Sequence, residues 1–196
     1  MTDLVALQTP LTIPNLLTVG RVLAVPLMVA SLFFLSGDAA HWTAAGIFMF
    51  AAVSDFFDGY LARMWQQQSA FGRMLDPIAD KLLVGAALLM LVYTQTIEGW
   101  SIWAAVIILC REILVSGLRE FLASVRVELH VSWLAKWKTV MQMASLCLLL
   151  VGPACGSVAI GVTNFGLALL WVAAILTLWT GYGYLNAAVN HALRND

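Results

Sequence analysis

The chain has 196 residues, of which 62% are hydrophobic and only 11% charged, against about 25% charged in an ordinary soluble domain. The formal net charge of −1 supplies no basic field for nucleic acid, and the apolar excess excludes the soluble globular class. The three cysteines, Cys110, Cys147 and Cys155, lie in apolar runs without metal-ligand spacing and read as packing residues.

A membrane-spanning helix needs about 20 mostly apolar residues. Six stretches have that length, and the predicted fold is an all-α membrane protein with six transmembrane helices. Residues 1–15 read as a cytoplasmic or interfacial lead punctuated by Pro10 and Pro14. The first basic residue is Arg21, so the N-terminus lacks the charged start of a signal peptide. The first span runs from Leu16 to Leu35 and stops at Ser36-Gly37-Asp38. The second runs from Trp42 to Leu61, and the third from near Asp76 to Thr96. Pro77 suits the first turn of that third helix, where a missing N–H costs nothing. The fourth covers Trp100 to Leu118, and the fifth Trp137 to Val151, closing before Gly152-Pro153. The sixth, Val162 to Val189, is long enough to tilt or to project. With no internal repeat, residues 1–196 read as one domain.

The positive charges orient these spans. Arg21, Arg63, Arg73, Lys81, Arg111, Arg119, Arg126, Lys136, Lys138 and Arg194 all fall at one side, which the positive-inside rule makes cytoplasmic. Both termini are then expected in the cytoplasm. The opposite loops hold Asp38, His41 and Glu98. Trp42, Trp100, Trp103 and Trp171 are expected at span ends, in the interfacial belts. His41, His130 and His191 fall at loops or ends and are given no catalytic role.

The chemistry concentrates between Asp55 and Lys81. Asp55 and Asp58 are three apart and Asp76 and Asp80 four apart, so each pair shares a helix face. A single Asp deep in a spanning helix costs roughly 2.5–3.5 kcal/mol, and four clustered anions repel one another. Divalent cations relieve both penalties. The donors are hard oxygens without His or Cys, which selects Mg²⁺, Mn²⁺ or Ca²⁺ over zinc. Four carboxylates suit two ions, an arrangement that clamps both oxygens of a phosphoryl displacement. Gly59, Ala62 and Gly72 leave room for a ligand, and Arg63 offers a planar fork to phosphate.

These residues carry a resemblance. The pattern D-x2-D-G-x2-A-R-x8-G-x3-D-x3-D, from Asp55 to Asp80, is similar at all eight fixed positions to the signature of the CDP-alcohol phosphotransferases. At about 5–8% usage per residue type, chance gives such a match less than about once in 10⁸ starts. Three flanking stretches resemble the bacterial phosphatidylglycerophosphate synthase branch of that family. They are Pro14-Asn15-Leu-Leu-Thr18-Val-Gly-Arg21, Arg111-Glu-Ile-Leu-Val-Ser-Gly-Leu-Arg119-Glu and Lys136-Trp-Lys138-Thr139-Val-Met-Gln142.

The resemblance implies transfer of a phosphatidyl group from CDP-diacylglycerol to sn-glycerol 3-phosphate, giving phosphatidylglycerophosphate and CMP. It implies metal binding by Asp55, Asp58 and Asp76, with Asp80 near metal as general base. Two Mg²⁺ or Mn²⁺ ions are the implied cofactors. Asp58, Gly59, Ala62, Arg63, Gly72 and Asp76 are implied contacts of the CDP-lipid. A homodimer in the bacterial inner membrane, with its site facing the cytoplasm, also follows from the resemblance.

The acceptor is a small dianion, so its pocket is expected to be basic. Arg111, Arg119, Lys136 and Lys138 are the candidates for its phosphate, with Arg21 a further possible substrate contact. The competing uses of these charges are pairs with Glu112 or Glu120 and contacts with lipid headgroups. The same chemistry with inositol phosphate, serine or phosphatidylglycerol as acceptor is one rival reading. A cation- or proton-coupled transporter is the rival from another class, since intramembrane carboxylates also mark ion paths.

Overall fold

The computed structural model describes residues 13–65, 70–125 and 133–195. Among them are six α-helices: α1 (Ile13–Phe34), α2 (Asp38–Trp65), α3 (Ala70–Tyr93), α4 (Ser101–Ser124), α5 (Trp133–Val151) and α6 (Ala159–Asn195). No strand occurs in the described residues, so the all-α expectation holds for them.

The helices end where the sequence supplies stops. Gly37, at φ 62°, turns the chain out of α1 in a conformation that costs glycine little. Asp38 then opens α2 with a carboxylate in its first turn, where the helix dipole favours negative charge. At the α5–α6 corner, two 3-10 turns, Gly152–Ala154 and Gly156–Val158, take the place of a loop. A Cβ on Gly152 would lie 2.5 Å from Thr163 Oγ1, so this corner closes only around glycine.

One boundary differs from expectation. Helix α3 begins at Ala70, so Asp76 and Pro77 lie well inside it rather than at its start. Ala70, Met74 and Leu75 are strong helix formers. The proline ring removes only one backbone bond and clashes one turn back, a loss that membrane helices tolerate. Pro26 sits inside α1 in the same way. The connection between α2 and α3 shrinks to residues 66–69, which lie outside the described residues. Helix α1 likewise takes in Pro14 and Asn15, which the sequence reading assigns to the lead; residues 1–12 lie outside the described ones.

Leu17–Phe34, Ser101–Leu122, Trp137–Ala154 and Gly156–Asn186 are the described segments long and apolar enough to cross a membrane. The chain is a membrane protein on that ground. Helices α2 and α3, which carry the acidic segment, are not among the four.

The core forms where α1 packs on α2 and α3, and α6 packs on α4 and α5. Phe48, Leu83, Ile108, Leu149 and Leu170 are fully enclosed there. Leu23, Phe50, Leu89 and Ile175 point outward and are exposed, as suits a bundle whose surroundings are apolar. Trp42, Trp100 and Trp103 are exposed near helix starts, in keeping with a belt. Trp171 is different. It lies three turns into α6 and packs half-buried against the core, because α6 starts before it and continues far beyond. Cys147 also packs on the core, whereas Cys110 faces outward.

Candidate active site

The acidic motif is split between two helices in contact. Asp55 and Asp58 lie on α2, three residues apart, and Asp76 and Asp80 lie on α3, four apart. Gly59, Ala62 and Arg63 follow on α2, and Gly72 lies in the first turn of α3. The side chains of Asp55, Asp58, Ala62, Arg63 and Lys136, and the surroundings of Gly59 and Gly72, lie outside the described residues. Helix α1 packs against both acidic helices and supplies a ligand to one of the acids. Thr18 is buried, and its hydroxyl donates a 2.7 Å hydrogen bond to Asp76 Oδ1. That bond fixes how the carboxylate is turned. Arg21, one turn further along α1, is enclosed by the bundle at 1% exposure and does not line the cavity described next.

Residues of α3, α4, α5 and α6 line a cavity of about 870 Å³. Asp80 lines it from α3, Arg111 and Arg119 from α4, and Lys138 from α5. Four predicted site residues, separated by up to 58 positions in the chain, therefore meet at one space. No three His, Cys, Asp or Glu groups converge among the described residues, the side chains of Asp55 and Asp58 not being among those described. The donor chemistry still fits a hard cation: the four motif groups are carboxylates, and Asp76 is already oriented by Thr18.

The cationic wall is held by a polar network. Arg111 donates through Nε to the Thr177 carbonyl at 3.1 Å and through Nη2 to Thr180 Oγ1 at 2.9 Å. Thr180 in turn donates to the Leu176 carbonyl at 2.9 Å, which leaves its oxygen free to accept from the arginine. The arginine lies against α6 at Gly181, where a Cβ would come into van der Waals contact with Arg111 Cγ at 3.4 Å. Glu112 accepts from Arg111 Nη1 at 3.3 Å and also from Lys138 Nζ. One carboxylate thus holds two cations at the edge of the cavity. Lys81 Nζ donates to Ser116 Oγ, tying α3 to α4. Arg119 sits over the Tyr184 ring, 5.5 Å from its centroid, and donates to the phenol oxygen at 3.4 Å. Such a stack holds a guanidinium in place while leaving its edge for an anion.

The model of one family, described as CDP-alcohol phosphatidyltransferase, matches residues 11–179. The chain belongs to the CDP-alcohol phosphatidyltransferase family. Its relatives in that family are similar along almost their whole length. A Rickettsia bellii protein is 45% identical, with 89% of this chain and 94% of the relative aligned. A Shigella flexneri protein is 44% identical over 90% of this chain and 94% of its own length. A Cereibacter sphaeroides protein is 40% identical over 91% and 96%. All three are named CDP-diacylglycerol–glycerol-3-phosphate 3-phosphatidyltransferase.

In this phosphatidyltransferase, several residues of the site escape a reading of the motif alone. Thr177, Thr180 and Tyr184 are polar positions in an apolar helix, spaced to share one face of α6. That spacing is the signal that marks α6 as a wall of the site. Glu112 is visible as a possible partner of Arg111, but its second bond, to Lys138, depends on the packing of α4 beside α5. Thr18 stands in the N-terminal stretch that resembles the family, without a role until α1 is placed against α3.

Proposed function

We propose that this chain transfers the phosphatidyl group of CDP-diacylglycerol to sn-glycerol 3-phosphate, with release of CMP. The observation that carries this reading is the cavity that Asp80 of the acidic motif lines together with Arg111, Arg119 and Lys138. The names of the relatives support it. A phosphorylated acceptor needs a basic pocket, and serine does not. The transporter reading has no comparable support in a chain of a transferase family.

In the proposed mechanism, Arg119 and Lys138 hold the acceptor phosphate, with Arg111 completing the positive wall and Lys136 an additional candidate. The acceptor's primary hydroxyl is then directed toward Asp80. Asp80 takes the hydroxyl proton as the oxygen bonds to the lipid-linked phosphorus, and the bond from that phosphorus to the CMP oxygen breaks. Asp58, Gly59, Ala62, Arg63, Gly72 and Asp76 cradle the CDP-lipid, while Arg21 remains a possible contact. Asp55, Asp58, Asp76 and Asp80 would hold two Mg²⁺ or Mn²⁺ ions, whose charge neutralises the pyrophosphate when they are bound. Residues 1–196 act as one domain with six spans and both termini in the cytoplasm. As proposed, the protein is a homodimer in the bacterial inner membrane and takes both substrates from the cytoplasmic side.

The test is an acceptor screen with labelled CDP-diacylglycerol and purified protein. Phosphatidylglycerophosphate and CMP are expected in equal amounts with glycerol 3-phosphate. Preferential transfer to inositol phosphate, serine or phosphatidylglycerol would reassign the acceptor. Absence of CMP release with every acceptor would reject the transferase reading.

Thr18 gives a second test. Thr18→Val keeps the shape and deletes the bond to Asp76. The lost charge-assisted bond is expected to lower kcat/KM for the CDP-lipid about tenfold. Thr18→Ser should restore most of it, and an unchanged kcat/KM in the valine variant would remove Thr18 from the site.

A further inference from the structure

Among the polar side chains that line the cavity, one is buried with an unpartnered atom and has no task in the mechanism above. Gln142 lies on α5, one turn beyond Lys138, about 6 Å along the helix axis. It lines the cavity, yet is only 3% exposed. Its Oε1 has no hydrogen-bond partner among the described residues. Buried side-chain polar atoms are nearly always partnered, so such an amide calls for a ligand. The alternative, an apolar residue packed at the same place, would avoid the penalty of the orphaned group.

The chemistry of an amide narrows what that ligand group is. A glutamine offers one acceptor and one two-proton donor, and carries no charge. Its carbonyl oxygen is repelled by a phosphate dianion and by the Asp80 carboxylate. The cavity already has Arg111, Arg119 and Lys138 for a phosphate. A hydroxyl, by contrast, both donates and accepts. Rotation about the terminal torsion of Gln142, which is broad and roughly two-fold, brings either end of the amide to it. The proposed acceptor has two hydroxyls: one attacks, and the other is spectator to the chemistry.

We propose that Gln142 is a specificity-determining residue that hydrogen-bonds the non-reacting secondary hydroxyl of the acceptor. The proposal deepens, and rests on, the reading of the acceptor as glycerol 3-phosphate. A site built around a hydroxyl discriminates against the analogue lacking it, because the protein group is then left unpaired. A phosphorylated diol without that hydroxyl would keep the phosphate and the attacking oxygen but leave Gln142 without a partner.

The experiment compares sn-glycerol 3-phosphate with 3-hydroxypropyl phosphate, which lacks only the secondary hydroxyl, in wild-type protein and in Gln142→Met. Wild-type kcat/KM is expected to favour glycerol 3-phosphate by about ten- to a hundredfold. In Gln142→Met the preference should fall below about threefold, with the whole loss on glycerol 3-phosphate and the other acceptor unchanged. The ratio of the two acceptors is internal to each preparation, so the amount of folded protein cancels. Gln142→Asn, which retains a shorter amide, is the second variant, expected to keep an intermediate preference. Equal use of both acceptors by wild-type protein overturns the proposal. So does a Gln142→Met variant that loses both activities by the same factor. Wild-type protein that uses neither phosphate, but does use another alcohol, rejects the acceptor reading itself and this proposal with it.

Discussion

Asp80→Asn is expected to lower phosphatidyl transfer by about a thousandfold while leaving the protein folded and able to bind CDP-diacylglycerol. The substitution keeps the shape of the side chain and removes its capacity to take a proton. A positioned general base contributes about 10²–10⁴ in rate, and the amide cannot substitute for it. Asp80 lines the same cavity as the cations that the acceptor phosphate requires. It is therefore placed to meet a hydroxyl of an acceptor bound there, and Asp76, which does not line the cavity, is oriented by Thr18 of α1. The measurements are CMP release, retention of labelled CDP-lipid by the purified variant, and its unfolding temperature in detergent. Near-normal turnover would exclude Asp80 as base. Loss of lipid binding together with turnover would assign it to holding the nucleotide instead.

The fold was largely legible in the sequence because membrane helices have strong, local signals. Apolar length located the helices, and Gly152-Pro153 marked the end of α5 at Val151. Helix starts were less legible where a local rule met a tolerant context. Pro77 favours a first turn, but Ala70 to Leu75 propagate helix ahead of it. Trp171 illustrates the same difficulty: an aromatic residue reads as a boundary, and only the length of α6 places it in the interior.

The acidic half of the site was legible because its spacing lies within 26 residues, Asp55 to Asp80. The cationic half depends on contacts between distant segments. Nothing in the sequence near Arg111 announces Thr177 and Thr180, which are 66 and 69 positions away. The resemblance could place Arg111, Arg119 and Lys138 in one region. It could not show that Glu112 joins Arg111 to Lys138, or that Tyr184 lies under Arg119. Gln142 is a sharper case, since its unusual state is a matter of burial and missing partners rather than of spacing.

Arg111→Ala is the second substitution with a large expected effect, and the structure enlarges what the sequence alone predicts for it. As a contact of the acceptor phosphate, the arginine would change mainly the KM for glycerol 3-phosphate. Its side chain, however, is 9% exposed and makes three bonds, two of which join α4 to α6 while the third holds Glu112 on α4. Alanine leaves the Thr177 carbonyl without this donor and takes one of two cations from Glu112. Breaking a buried charged network from one side costs about 3–5 kcal/mol. The variant is thus expected to unfold at a markedly lower temperature in detergent and to lose acceptor kcat/KM by about a hundredfold or more. Arg111→Lys separates the two contributions. Lysine keeps the positive charge but lacks the planar fork that reaches Thr177, Thr180 and Glu112 together. It should retain much of the acceptor affinity and little of the lost thermal stability. If Arg111→Lys instead restores stability and leaves acceptor KM high, the guanidinium itself contacts the phosphate. If the alanine variant raises the KM of the CDP-lipid and of the acceptor equally, Arg111 supports the fold without selecting the acceptor.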